Sequence, residues 1–424
     1  MRTLIRFFGG LMCVASLALV LLGWMGVIVS DRWGWSQYIS WVPGWMWLCA
    51  SLPLCALGVF RQRCRPAGVS GRAKATKGDR AGSSKRTKTA RASKLFVVAA
   101  VCNLSLCVHV ALVQLRVLNL LPARATPLLG VGRLTIAQWN ATHPEPHNIA
   151  SELADAFGTS VPDVTFVSYN RPWGDFAGDL KRHWHAGGNE LKGDEGGEGP
   201  ATSLHVEVRG EFAVASRLPI KSLVRFSLRL ERPSVGESNI PGVVRGEVLE
   251  AGATRRALED RYNEIGPQFG LARRSFSEVE NGDLVCVVLD GSTRYGRDLV
   301  IWHVDLPSDP FLYRWEIAGA VRRRLDELMS PATGTLALPA ADVIVGDCNI
   351  PRSSASLERM FPGYHHAFDD AGVGRGGSWP RAMPLLHIDH CLLSPGLHAE
   401  KYGMIKPGKS DHMIQSATLV IAPK

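Results

Sequence analysis

Val345-Gly346-Asp347-Cys348-Asn349 closes a β-prone run that begins at Ala341, and Ser410-Asp411-His412 follows a strand-like stretch that ends near Ser394. Each places an acid and a neutral hydrogen-bonding partner where a strand stops. In open α/β sheets and sandwiches, strand ends are where ligands bind. Asp-x-Asn combined with Asp-His suits attack on phosphorus. One carboxylate orients or deprotonates a water, another holds a divalent cation, and an amide and an imidazole brace the phosphoryl oxygens.

Outward from these stretches, apolar alternation and β-branched content predict strands at 133–139, 163–168, 212–216, 284–289, 298–304, 342–345, 388–393 and 415–422. Helical spacing is found at 149–157 and 312–329, and Asp290-Gly291-Ser292 reads as the turn of a hairpin. Strands outnumber helices and the helices cover them, which implies two packed sheets flanked by helices. Residues 187–200, rich in glycine and acids, and the polar stretch 233–281 read as insertions. Cys286, Cys348 and Cys391 sit in strand-like apolar runs and are expected to be small buried hydrophobes rather than a disulfide framework.

The N-terminal part differs sharply. Residues 1–123 hold sixteen Lys/Arg against Asp31 and Asp79, a balance of +14 in a chain whose total is +9, so residues 124–424 carry −5. The basic character is therefore local, and an acidic remainder argues against a domain that grips nucleic acid through its phosphates; no specific nucleic acid is expected as a partner. Apolar runs at 9–30, 39–60 and 95–113 each match the ~20 residues a helix needs to cross a bilayer, and Trp33, Trp35, Trp41, Trp45 and Trp47 gather where interfaces would lie. The segment 61–94, with twelve Lys/Arg, reads as a cytoplasmic loop, which puts the C-terminal domain outside the plasma membrane. The expected organisation is a three-helix membrane anchor (1–123), a connector (124–132) and one globular domain (133–424).

The order along that domain is Gln138-Trp139-Asn140, Asp163 to Tyr169, Ser216-Arg217-Leu218-Pro219, Trp302-His303-Val304-Asp305, Gly346-Asp347-Cys348-Asn349, His387-Ile388-Asp389-His390 and Ser410-Asp411-His412. This succession resembles the endonuclease/exonuclease/phosphatase superfamily, and the preceding apolar runs resemble its membrane-anchored branch, which includes glycopeptide-resistance proteins. The resemblance implies a four-layered α/β (α+β) sandwich, two mixed β-sheets flanked by helices, that cleaves phosphoesters with Mg²⁺ or Mn²⁺. It implies that Asn140 and Asp411 stand at the metal, and that Asn140, His303 and Asn349 contact phosphate. Asp347 would orient or deprotonate the water, Asn349 would brace the transition state, and Asp389 would fix the tautomer of a cationic His412. His387 and His390, which flank Asp389, are left out of this site; strand alternation turns His390 to the opposite face.

One position departs from the pattern. The glutamate that is the principal metal ligand in the superfamily falls on Tyr169 here, and a phenol is a poor ligand for a hard divalent cation. Asp175 or Glu152 could reach in, metal could bind weakly through Asn140, Asn170 and Asp411, or catalysis could be lost. Arg171 is a candidate to meet phosphate with guanidinium charge instead. The resulting expectation is a membrane-anchored phosphoesterase acting on a lipid-linked phosphate or diphosphate at the external membrane face. The alternatives are an extracellular nuclease and a phosphate- or lipid-binding module without turnover.

Overall fold

The structure, a computed structural model, describes residues 2–63, 97–121, 132–143, 146–158, 160–169, 173–186, 204–228, 264, 282–308, 312–330 and 337–421. The basic segment beyond residue 63, residues 124–131 of the connector, Asn170, Arg171, residues 187–200 and nearly all of 233–281 lie outside the described residues. The chain divides into two units, Met1–Leu115 and Arg116–Lys424.

The first unit holds helices α1 (Arg2–Ile28), α2 (Gly34–Trp41), α3 (Gly44–Arg63) and α4 (Val97–Gln114). Phe7–Ile28 and α4 are each long and apolar enough to cross a membrane. The run expected as one helix at 39–60 is instead a pair, α2 and α3, bent by 74°. The break falls at Val42-Pro43. Proline offers no backbone N–H and forces the residue before it out of helical geometry, and Val42 is extended (φ −73°, ψ 114°). Among the described residues the candidate spans number two, or three if the bent pair counts as one. A buried polar relay ties three helices together. Asn103 Nδ2 donates to Ser16 Oγ at 3.1 Å, Ser51 Oγ donates to Asn103 Oδ1 at 2.7 Å, and Ser16 Oγ donates to the Ser51 carbonyl at 2.9 Å. Such links suit helices that have no water to satisfy them.

In the second unit the elements run β1 (Gly132–Asn140), α5 (Ile149–Phe157), β2 (Val164–Ser168), α6 (Phe176–Ala186), β3 (His205–Arg209), β4 (Phe212–Ser216), β5 (Ile220–Ser227) and β6 (Asp283–Leu289). Then follow α7 (Ser292–Tyr295), β7 (Leu299–Asp305), α8 (Arg314–Met329), β8 (Val343–Asp347), α9 (Ala355–Met360), β9 (His365–His366), α10 (Ala367–Ala371), β10 (Asp389–Leu393), β11 (His398–Ile405) and β12 (Ile414–Ile421). They build two six-stranded sheets, ordered β11-β12-β1-β2-β4-β3 and β5-β6-β7-β8-β10-β9. β6 and β7 are the expected antiparallel pair, but their connection carries the short helix α7 beyond the Asp290 turn. The Ser410-Asp411-His412 stretch lies between β11 and β12, so a strand at 398–405 intervenes where the sequence reading had the loop follow Ser394.

Three apolar layers hold the sandwich. Leu134, Ile136, Phe166, Phe212, Val287, Ile301 and Val345 fill the space between the sheets. Trp302, Ile344, Leu325 and Met360 join the second sheet to α8 and α9, while Trp139, Val167, Leu153 and Leu180 join the first sheet to α5 and α6. The order is helices, sheet, sheet, helices. Cys286, Cys348 and Cys391 are buried and unbridged within it.

Gly346 is where the close packing of β7 and β8 shows most directly. Its φ is +139°, and a Cβ there would overlap the Val304 carbonyl oxygen on the neighbouring strand. An alanine must both adopt a conformation L-residues avoid and push β7 away. Gly346→Ala is therefore expected to cost roughly 1–3 kcal/mol from backbone strain alone, read as a lowered midpoint in chemical denaturation. A melt indistinguishable from the parent would contradict the close approach.

Candidate active site

Period-2 alternation delivers polar residues to one rim of the sandwich. On β1, Leu134 and Ile136 face the inter-sheet core, so Gln138 and Asn140 continue that face to the strand end. By the same parity Val164 and Phe166 lead to Ser168, Leu299 and Ile301 to His303, and Val343 and Val345 to Asp347. β10 runs antiparallel to β8, with Asp389 directly opposite Asp347, so its first residue reaches the same rim. The loop before β12 adds Asp411 and His412 beside the end of β1.

Contacts then close across the two sheets. His412 Nδ1 lies 2.8 Å from Asp389 Oδ2 and 3.7 Å from Asp347 Oδ2, and His412 Nε2 lies 3.8 Å from Asp411 Oδ1. Asn140 Nδ2 donates to Asp347 Oδ2 at 2.9 Å, and the Asn349 backbone N–H donates to Asp347 Oδ1 at 2.9 Å. That second bond is an Asx-type turn, and it accounts for Asn349 adopting φ +50°, a conformation asparagine tolerates. Asn349 Nδ2 donates to the Leu306 carbonyl at 2.8 Å. Ser168 Oγ and His303 Nε2 are 3.0 Å apart, with the His303 ring set edge-on to Phe166 and Phe212. Asp347, Asp389, Asp411, His303 and His412 are all buried.

Burial and neighbouring charge set the protonation states. Desolvation, then the Asp389 charge, raises Asp347 to about 7. Burial alone pushes His412 down, but Asp389, Asp347, the Asp389 hydrogen bond and Asp411 together overcome it and raise the imidazole to about 9. His303 has no such surplus of anions and burial lowers it to about 3, so it is neutral. Three buried carboxyl groups thus surround one imidazolium at this rim.

A stability consequence follows. The folded-state value of His412 lies above its ordinary 6.5, so its contribution is fully present below that value and is lost as pH rises through about 9. In the presence of chelator, the melting temperature is expected to fall from about pH 7 to just above pH 9. His412→Gln should flatten that decline. A parent profile that stays level would show that Asp389 does not hold a charged His412.

The sequence-derived set Asn140, His303, Asp347, Asn349, Asp389, Asp411 and His412 converges on this rim, while Arg171 lies outside the described residues. Tyr169 does not face the acids. It lies on the other face of β2, in the layer with Trp139 and Val167, its ring edge-on to His147 and Trp173. Neither proposed replacement for the missing glutamate reaches the rim. Asp175 precedes α6, where it accepts from Gly178 N and pairs with exposed Arg182 at 3.4 Å. Glu152 is 2.6 Å from His147 Nδ1 and accepts from Lys409 N at 3.0 Å, so it braces the loop that carries Asp411 and His412.

Other residues at the rim drew no role from the sequence. Gln138 Nε2 lies 3.5 Å from Asp389 Oδ1, and Gln415 Nε2 donates to Gln138 Oε1 at 2.5 Å. Ser378 Oγ accepts from the N–H groups of Ile388 and Asp389, each at 3.0 Å, and Ser410 Oγ donates to the Asn140 carbonyl at 2.6 Å. Strand parity was the available signal for Gln138 and Ser168. Ser378 lies in irregular chain and left no pattern to read.

The donor set suits a hard divalent cation. Asp411 would supply a carboxylate and Asn140 an amide oxygen, which also accepts from the Thr142 N–H at 3.1 Å, and a cation suits a rim where three buried carboxyl groups crowd one imidazolium. Mg²⁺-like ions need only one or two protein carboxylates, because water and substrate phosphate complete their shell.

The sequence model of the Endonuclease/Exonuclease/phosphatase family matches residues 142–412. The chain belongs to that family, and its domain is a hydrolase of phosphoester bonds. No curated protein matches it. Among solved structures it is similar to an endonuclease/exonuclease/phosphatase family protein from Bacteroides thetaiotaomicron, with 15% identity, 69% of this chain and 96% of that chain covered, and a TM-score of 0.42. It is similar to the mannosyl-6-phosphatase Bt3783 of Bacteroides thetaiotaomicron VPI-5482 (14% identity, 68% and 99% covered, TM-score 0.39). A third is the inositol polyphosphate 5-phosphatase domain of SpSynaptojanin with inositol (1,4)-bisphosphate and a calcium ion (12% identity, 68% and 84% covered, TM-score 0.37).

Proposed function

We propose that this chain is a membrane-anchored, metal-assisted phosphoesterase that hydrolyses a lipid-linked phosphate or diphosphate at the external face of the plasma membrane. The observation that carries the reading is the buried Asp389–His412 pair, 2.8 Å apart, set beside Asp347. Asp347, raised to about 7 and oriented by Asn140 and the Asn349 N–H, is matched to taking a proton from water near neutral pH. His412, kept cationic, offers a donor and a charge to a developing phosphoryl oxyanion, and Asp389 holds its Nδ1 so that Nε2 is the working nitrogen. Asn140, His303 and Asn349 supply neutral polar groups for phosphate. Mg²⁺ or Mn²⁺ on Asp411 and Asn140 would neutralise phosphate charge and lower the barrier to attack.

The substrate class rests on the anchor and the charge. Two or three apolar helices precede the domain, and the twelve Lys/Arg of 61–94 favour the cytoplasmic side for that segment, which leaves the domain outside. The connector of residues 124–132 spans at most ~30 Å, close enough for head groups of the same bilayer. The balance of −5 beyond residue 123 disfavours nucleic acid.

The test is phosphate release by the full chain in lipid nanodiscs from a polyprenyl diphosphate, a polyprenyl phosphate and phospholipid diesters, with Mg²⁺, Mn²⁺ or chelator. Metal-dependent release from a lipid substrate is expected. No release from any of them under any condition would defeat the proposal. Calorimetric head-group binding without turnover would mark a binding module, and nicking of plasmid DNA would mark a nuclease.

A further inference from the structure

On the side of β10 away from Asp389 lies a second group of buried imidazoles that the hydrolytic site does not use. His366 stands on β9, His387 in the segment before β10, and His390 on β10 itself. One ring nitrogen of each lies within 4.8 Å of the other two, and all three residues are buried. Their ring centres are 4.8 Å (His366–His390), 5.5 Å (His387–His390) and 5.7 Å (His366–His387) apart. A tetrahedral metal about 2.0–2.1 Å from each nitrogen would set such centres roughly 5 Å apart; the His387 and His390 rings lie within 9° of parallel, so one of them rotates about its side-chain torsions for both lone pairs to meet one ion.

The hydrogen bonds fix which nitrogens carry lone pairs. His390 Nε2 is 2.7 Å from the Ile350 carbonyl, which can only accept, so Nε2 bears the proton. Tyr402 donates its hydroxyl proton to Gln415 Oε1 at 3.0 Å and so accepts from His387 Nε2 at 3.3 Å. Gln415 is itself oriented by its Nε2, which donates to the His390 carbonyl at 2.8 Å. Both Nδ1 atoms are therefore bare acceptors. Neither Nδ1, nor either nitrogen of His366, has a hydrogen-bond partner, though all are buried. Burial, mutual proximity and the Arg352 charge outweigh the Asp389 backbone beside His387 and hold His366 and His387 well below the ordinary imidazole range, and burial holds His390 at about 4, so these rings are neutral.

We propose that His366, His387 and His390 bind a d-block cation of the zinc class, in a site separate from the hydrolytic rim. Neutral imidazoles with one nitrogen bare and the other donating to an oxygen are the form in which histidine ligates such ions, and that oxygen partner orients the ring. Zn²⁺ suits three nitrogens with a water or anion in the fourth position. The buried Arg352 opposes a second positive charge, but Asp369 pairs with it at 2.6 Å and offsets it. The site clamps β9, β10 and the segment between α10 and β10. It also reaches the rim, because His387 bonds Tyr402, Tyr402 bonds Gln415, Gln415 bonds Gln138, and Gln138 lies against Asp389. The bound ion is a structural support for the strand that begins with Asp389.

The experiment uses the full chain in detergent micelles, stripped with chelator and titrated with Zn²⁺ by thermal melt and with Co²⁺ by visible absorption. One equivalent of Zn²⁺ should raise the melting temperature, and Co²⁺ should give the intense visible bands of tetrahedral nitrogen ligation. His366→Gln should weaken binding at least tenfold and abolish the bands. Asp411→Ala, and His365→Gln at the half-buried neighbour, should retain both signals. Absence of both signals in the parent overturns the proposal, even if the His366 variant fails to fold. So does their persistence in His366→Gln, or their loss in Asp411→Ala, which would place the ion at the rim.

Discussion

Asp347→Ala is expected to slow phosphate release by about 10²–10⁴-fold, the range for removing a positioned general base. The loss should fall on kcat and leave KM nearly unchanged, since the carboxylate acts on the water and not on the substrate's ground state. Two bonds to this side chain disappear with it, from Asn140 Nδ2 and from the Asn349 N–H, so the Asx-type turn loosens. Asp347→Asn is the companion variant, because its side-chain oxygen can still accept from the Asn349 N–H while it cannot take a proton. An equal loss in both assigns the effect to basicity. If Asp347→Asn keeps more than a tenth of the parent rate, Asp347 orients the loop and another group activates the water.

Asp389→Asn should damage both rate and stability. It leaves Nδ1 of His412 facing an amide and removes the largest of the charges that sustain the imidazolium. Breaking one partner of a buried pair costs about 3–5 kcal/mol, and losing the tautomer anchor of a catalytic imidazole costs about 10⁴-fold in rate. The stability loss should be greater near pH 6 than above pH 9, because the stranded imidazole sheds its proton as the solution becomes alkaline. A double-mutant cycle with His412→Gln tests this directly. The double variant should be less destabilised than the summed single variants by about 0.5–3 kcal/mol. Strict additivity would mean that the two side chains do not interact.

The eight strands expected from the sequence are the eight interior strands of the two sheets, and the four it omitted, β3, β5, β9 and β11, are the four edges. The reason is physical. An interior strand is walled by two neighbours and covered on its faces, so it is written in apolar residues. An edge such as β11, with exposed Glu400 and Lys401, carries charge toward solvent that guards it against unwanted pairing and erases the pattern. The rim was legible because Asp347, Asp389 and His412 sit in short motifs. Tyr169 follows from the same parity: with Ser168 facing the rim, the next residue turns to the opposite face, into the layer of Trp139 and Val167 against α5 and α6. Alternation correctly turned His390 away from the rim. It could not reveal that His366, from another strand, would meet it there.

The pairing of β1 with β12 at the rim also bears on how the protein is made. β1 has β2 on one side and β12 on the other, and Gln138 meets Gln415 across a separation of 277 positions. Synthesis proceeds from β1 onward, so its second partner, with the imidazole just ahead of it, emerges after every other strand of the two sheets. Such distant pairing delays closure of the sandwich. Until β12 is in place, the loop before it cannot bring Asp411 and His412 beside the end of β1, so a partly folded domain lacks the assembled rim.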